Sequence, residues 1–416
     1  MHTLSKRLSV LVVVSALAWR CGAAEPLHGT TAGNPPLDLP TAIRLALDQP
    51  GPRAAAHDVA ASEALVDQAN RFPNPELQYL REGQQTGTRT TTVQINQPIE
   101  LGGKRGARVA AAQSAVDLAN SELMARRQDV RSDVIAVFYE VLVAQRRQEL
   151  ARALTELARK SVEVASKRVI AGKVSPIDET KARLAAVDAS TELNQAAAAL
   201  AIARTKLAAL IGQPAGALVL VEQPDALPDV RPLDALQARA KNAAIIRRVR
   251  SQVSAQEAQV DVERAARIPD LTLSVGTQRD DQVGRRQTVL GLSVPLPLFN
   301  RNSDALRAAM RRTDKARDEL AATEISTASE LATAYTRYEV ARNEATLLRQ
   351  DVVPNARSAY DLTLKGFEYG KFSFLEVLDA QRTWFQAQSR QWNSTLEAWR
   401  AFADIERIAG PAEPNN

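Results

Sequence analysis

The sequence predicts a mainly α-helical protein with a small β part, built as a duplicated helix–β-hairpin–long helix–helix unit. Three observations predict it. The chain is 45% hydrophobic and 24% charged, yet only 4% aromatic. Alanine dominates many segments, and alanine costs least in a helix and lets helices approach closely. An ordered set of residue groups recurs half a chain apart. Each half also holds two short segments of alternating apolar and polar residues, bounded by prolines.

The recurrence sets the organisation. Glu63-Ala64 and Val66-Asp67 return as Glu257-Ala258 and Val260-Asp261. Pro75-Glu76-Leu77 returns as Pro269-Asp270-Leu271, and Pro98 with Leu101 returns as Pro295 with Leu298. Lys167, Gly172, Lys173 and Ser175 return as Lys365, Gly370, Lys371 and Ser373, and Gly212 as Gly410. The offset drifts from about 194 to about 198 residues, as a duplication with insertions in its loops would show.

Each half then reads in one order. A helix is expected over 39–71, and its counterpart over 234–267. Pro73, Pro75 and Pro269 end them, because proline lacks the N–H and disfavours a helical residue before it. Period two follows, the mark of a strand with unlike faces. Leu77, Tyr79, Val93 and Ile95 form the apolar set of the first hairpin. Leu271, Leu273, Val275, Leu290, Leu292 and Val294 form that of the second. Polar loops are expected over 83–88 and 279–286, and Pro98 and Pro295 are expected to close the hairpins. Long helices begin near Arg105 and Asn302. The first has no breaker before Ile170, a rise of about 100 Å at 1.5 Å per residue; Pro354 should kink the second. The turns Ala171–Pro176 and Tyr369–Ser373 reverse the chain into return helices ending at Ile211 and Ala409.

The boundaries follow. Residues 1–24 read as a secretory signal, with Lys6 and Arg7 before the apolar run 8–18 and small residues at Gly22-Ala23-Ala24. Its removal would take Lys6, Arg7 and Arg20, so the formal charge falls from +5 to +2 and gives no ground for a nucleic-acid partner. The sole cysteine, Cys21, lies inside this segment; lipidation at Cys21 is the alternative. Residues 25–38 read as a flexible lead, 39–212 as the first repeat, and 213–232 as a proline-rich linker. The second repeat covers 233–410, and 411–416 form a disordered tail.

No stretch approaches the ~18 apolar residues of a spanning helix. Insertion into a membrane would therefore use strands in a closed barrel. Four strands cannot enclose one, so the hairpins must close with other chains. Helices of such length must project away from the barrel. A barrel continued by a helical tube is a conduit.

Several segments carry a resemblance: Phe72-Pro73-Asn74-Pro75, the run from Gln97 to Arg105, Gly172 with Ser175 to Thr180, and the run from Phe374 to Gln381. Over 38–410 the chain resembles the TolC-type outer-membrane factors, and most the outer-membrane component of cobalt–zinc–cadmium efflux systems. The resemblance implies a homotrimer in outer-membrane lipid, a twelve-strand barrel and a helical tunnel through the periplasm. It also implies docking to a periplasmic adaptor and an inner-membrane pump of the RND type, with divalent heavy-metal cations as cargo. A drug or protein-secretion duct of the same fold is one alternative; a periplasmic coiled-coil protein without a channel is the other.

Candidate functional residues lie at the turns. Asp178, Glu376 and Asp379 follow them, and in a trimer they would repeat as acidic rings that attract cations at the channel entrance. Helix-start acids complementing the helix dipole are the plainer reading. Gly172, Lys173, Ser175, Gly370, Lys371 and Ser373 are candidates for adaptor docking, or for turn chemistry alone. Lys104, Arg105 and Arg301 are expected at the junction of barrel and tunnel, in a structural or headgroup role. Trp384, Trp392 and Trp399 are spaced for packing. No metal-ligand spacing, cofactor motif or nucleophile–base set emerges, which argues against an enzyme.

Overall fold

The computed structural model describes residues 36–411, apart from Thr86, 221–223 and Asp225. The expected signal, most of the flexible lead, Cys21 and residues 412–416 of the tail lie outside the described residues. The elements run α1 (Leu39–Leu47), α2 (Pro50–Ala69), β1 (Glu76–Glu82), β2 (Thr90–Ile99), α3 (Lys104–Ile170) and α4 (Pro176–Ile211). After the linker come α5 (Leu233–Ala240), α6 (Ala244–Ala265), β3 (Leu271–Asp280), β4 (Arg285–Ser293), α7 (Ser303–Leu347), α8 (Val353–Glu368) and α9 (Phe374–Ala409). The duplication is therefore a repeat of elements, not only of residues.

Several boundaries differ from the sequence expectation. The single helix expected over 39–71 is two, because Pro50 starts α2 and its ring cannot sit within a continuing helix. Its counterpart is likewise split, at Lys241–Ala243 between α5 and α6. Pro98 does not close β2 but lies within it, opposite Thr272. The β1–β2 ladder reaches no further than Glu76 opposite Asn96, so at Pro98 no β1 bond is forfeited. The second hairpin loop is shorter than expected: Arg279, Asp280, Arg285 and Arg286 are paired strand residues. Val294 is not in a strand, since β4 ends at Ser293 two residues before Pro295. Pro354 acts through a π-helical turn, Leu348–Val352, which absorbs the lost backbone bond between α7 and α8. Within the expected flexible lead, Leu37 is held by a parallel bridge to Leu220, its N–H donating to Val219 O at 2.8 Å.

The core lies where both halves meet. Phe138 and Tyr139 of α3, Leu207 and Ile211 of α4, Tyr338 of α7 and Trp399 and Phe402 of α9 pack there with Ala42 of α1 and Leu236 of α5. Trp399 stacks on Tyr139 with ring centroids 3.3 Å apart, and its indole N–H donates to Pro224 O at 2.7 Å. The Tyr338 hydroxyl donates to Pro228 O. The linker prolines are thus strapped to the core by two aromatic polar tips, which buried Trp and Tyr require. A second, smaller cluster (Ala165, Ala182, Tyr360, Phe367, Phe374 and Val377) lies beside the two chain reversals. The 67 residues of α3 put these clusters and the sheet at different heights along a rise of about 100 Å.

Candidate functional site: sheet, junction and tip

The four strands form one antiparallel sheet in the order β1-β2-β3-β4. Its register sorts side chains by chemistry. One row reads Leu77, Ile95, Val275, Leu290, and Leu77 and Leu290 are each 75% exposed. The next row on that face reads Tyr79, Val93, Thr277, Thr288. Leu273 pairs with Leu292, and Leu271 with Ile99. The opposite face carries Gln78, Gln94, Asn96, Ser274 and Gln278, with Gly276 and Gly291 between them. Gln94 Nε2 donates to Gln78 Oε1 at 2.7 Å, Asn96 Nδ2 donates to the same oxygen at 3.0 Å, and Gln287 donates to Gln278 at 2.6 Å. Burial normally hides large apolar side chains, so an exposed apolar sheet face backed by an amide face marks an interaction surface. Of the apolar set named from the sequence, all but Val294 lie on this face within the strands. Both outer strands, β1 and β4, present unpaired edges.

The junction between sheet and long helices is tied by charge. Lys104 pairs with Asp270 at 2.7 Å, and Asp270 also accepts from the Leu101 N–H at 3.1 Å. Arg105 donates to Asn70 Oδ1 at 2.6 Å and lies 4.2 Å over the Phe72 ring. Arg108 clasps Glu100 while donating to Ala69 O at 2.9 Å. Lys104 and Arg105 therefore bind the strands to the helix starts, and the Arg301 Nε–H turns to Pro297 O at 3.3 Å. Arg108 has the same duty and was not singled out by the sequence.

The tip holds the two reversals, and they share one geometry. Gly172 and Gly370 have φ of 67° and 75°, the left-handed region where only glycine is free of strain. The Lys173 N–H donates to Arg168 O at 2.9 Å and the Lys371 N–H to Gly366 O at 2.8 Å, so both helices end in the same six-to-one bond. Ser175 then caps α4, its Oγ accepting from the Ile177 N–H at 3.3 Å. Ser373 caps α9 in a full capping box with Glu376. The Glu376 carboxylate accepts from the Ser373 N–H at 2.6 Å and from its hydroxyl at 2.8 Å, which holds it below the usual carboxylate range. Glu376 and Asp379 line one shallow groove between α8 and α9, and Asp178, in the first turn of α4, does not. Lys173 and Lys371 are exposed. No motif or spacing marks Arg168, which lies 3.9 Å over the Phe367 ring and joins the two reversals. Nor does any motif mark Gly366, where a Cβ would fall 2.1 Å from the Phe372 ring.

Among the described residues no helix is long and apolar enough to cross a membrane, and no three of His, Cys, Asp or Glu gather as a metal site. Between sheet and tip, acids and bases are tied across helices. Glu140 of α3 joins Lys206 of α4 at 2.9 Å and Arg400 of α9 at 3.1 Å. Burial alone would raise its pKa, but the two cations outweigh that and hold it low.

Comparison with known proteins places this architecture. The model of the outer membrane efflux protein family matches residues 46–213 and 235–411, one match for each repeat. The chain is 41% identical to the cobalt-zinc-cadmium resistance protein CzcC of Cupriavidus metallidurans over 90% of both chains. It is 28% identical to the nickel-cobalt-cadmium resistance protein NccC of Alcaligenes xylosoxydans, over 64% of this chain and 62% of that one. The solved outer-membrane channel OprN superposes with a TM-score of 0.76 at 21% identity, covering 89% of each chain.

Proposed function

We propose, from the premise that this chain belongs to the outer membrane efflux protein family, that three copies close into a twelve-strand barrel serving as the exit duct for divalent heavy-metal cations. The observation that carries this is the sheet: apolar on one face, amide-lined on the other, and open at both edges. Open edges are not viable in lipid, so β1 of one copy pairs with β4 of the next. The amide face then lines a wet lumen through which hydrated ions pass. The helices continue the duct into the periplasm, where an adaptor and an inner-membrane pump of the RND type meet the tip. The likeness to CzcC and NccC, whose names tie them to cobalt, zinc, cadmium and nickel, supports the cargo.

At the tip, Asp178, Glu376 and Asp379 form the cation-attracting entrance, and Lys173 and Lys371 with Gly172, Ser175, Gly370 and Ser373 form the adaptor contact. Glu376 serves two roles in this reading, since its cap on Ser373 keeps it ionised. Replacing Glu376 and Asp379 by Gln and Asn should lower cation preference in single-channel recordings, and unchanged selectivity would leave both acids as helix-start residues. The cargo is tested by gene deletion. Tolerance to cobalt, zinc or cadmium ions should fall and return with the wild-type chain. Unaltered metal tolerance beside lost drug tolerance or protein secretion would reject the metal reading while keeping the duct.

A further inference from the structure

The apolar sheet face ends in a row of arginines. Arg81 pairs with Thr91, Thr91 with Arg279, and Arg279 with Arg286, so three of the four positions in this rung are arginine. Strand alternation places the rung on the same face as Leu77, Ile95, Val275 and Leu290. It lies one rung beyond Tyr79 and Val93, a step of about 7 Å toward the hairpin turns. The following rung, Glu82, Thr90, Asp280 and Arg285, belongs to the opposite face. The strand acids Glu82 and Asp280 thus share the amide face with Arg285, while the apolar face carries three arginines and no strand acid. Asp280 is also occupied, accepting from the Gln282 N–H at 2.8 Å. On the arginine side, Arg279 has Asp281 at 3.0 Å, while Arg81 and Arg286 have no acidic partner among the described residues. All three arginines are exposed.

Two physical arguments give this row a ligand. Arg279 and Arg286 are directly opposite each other, and like charges in that position repel unless an anion lies between them. An arginine on a lipid-facing strand is costly at mid-bilayer and close to neutral at the headgroup level. A rung of arginines immediately after the apolar band is thus at the level of the lipid headgroups, at the end of the sheet remote from the helices. We propose that Arg81, Arg279 and Arg286 clamp phosphate groups of outer-leaflet lipid, the guanidinium fork matching phosphate oxygens in pairs. Three copies would set nine arginines around the rim. The inference rests on the barrel reading above, which supplies the lipid.

The test uses the intact detergent-solubilised protein and thermal melting. Wild-type protein is first checked for outer-membrane fractionation and for heat-dependent migration as a trimer. It is then melted with micelles carrying diphosphoryl lipid A, with the same lipid stripped of phosphate, and with inorganic phosphate alone. The diphosphoryl lipid should raise the melting temperature by several degrees through preferential binding to the folded state. The stripped lipid and free phosphate should do so far less. The Arg81→Gln/Arg279→Gln/Arg286→Gln variant should lose most of the shift. Arg285→Gln, which removes a charge from the opposite face and matches Arg286→Gln in charge, should keep it. A triple variant that keeps the shift, or an equal shift from stripped lipid or from free phosphate, overturns the inference alone. Wild-type protein absent from the outer membrane overturns the channel reading as well. If the triple variant does not insert, Arg286→Gln must reduce the shift and Arg81→Lys/Arg279→Lys/Arg286→Lys must retain most of it; the opposite result also overturns the clamp.

Discussion

Gly276 shows how one residue shapes the amide-lined side of the sheet. A Cβ there would lie 2.4 Å from Gln94 Cβ and 2.4 Å from Val93 O. The glycine lets the amide ladder of Gln78, Gln94 and Asn96 lie flat across β2. Gly276→Val should therefore cost about 1–3 kcal/mol by overpacking, measured as a lower temperature for loss of the trimer band in heated gels. Tyr338 makes a second prediction. Burial pushes its hydroxyl up to about 12 from an ordinary value of 10. The folded state thus favours the neutral phenol. That stabilisation is complete below pH 10 and is lost as pH rises from 10 toward 12. Tyr338→Phe should give up about 1 kcal/mol at neutral pH with the bond to Pro228 O. It should also flatten the alkaline limb of the stability profile; a wild-type-like limb would mean that another group governs it.

Among the elements, the two reversals are the most informative, because both are made by the same short code. Glycine ends the first helix with positive φ, and serine three residues later caps the next. Ser373→Ala should remove a capping box and destabilise the start of α9 by about 1 kcal/mol. Faster amide exchange confined to the tip would report it. Exchange spreading to Trp399 would instead mean that the tip and the core unfold as one unit. The long arms differ in a telling way. α3 is uninterrupted, whereas the matching arm of the second half needs a π turn at Leu348–Val352 to admit Pro354. The two repeats are alike in plan but not in straightness.

For the molecule as a whole, sidedness of the sheet is the property that the function needs. Val275→Arg puts a charge in the middle of the apolar row and should cost about 2–4 kcal/mol in the bilayer, with loss of outer-membrane insertion. Gln94→Arg, on the neighbouring strand but the amide face, should insert and alter conductance. Equal failure of both variants in outer-membrane fractionation would reject the assignment of lipid and lumen faces. The ionic ties of Glu140 to Lys206 and Arg400, and of Arg337 to Glu397 and Asp404, lock α3, α4, α7 and α9 together between sheet and tip.

Local chemistry was enough to determine the duplication, the chain reversals, the order of helices and hairpins apart from the two split helices, and every member of the apolar strand set but Val294. Period two, proline stops and glycine–serine turns act over a few residues, so their signals lie within the sequence. The split of the first helix at Pro50 is equally local, but the apolar pattern continues across the proline and masks it. What only the tertiary structure decided depends on partners far apart in the chain. The register of β2 against β3 sets Arg279 opposite Thr91 and puts Gly276 beneath Gln94. The packing of α3 against α9 brings Tyr139 under Trp399, and the placement of the linker supplies carbonyls to Trp399 and Tyr338. Such contacts span more than a hundred residues. Their geometry is set by how long helices and strands align in space, and no spacing along the chain records it.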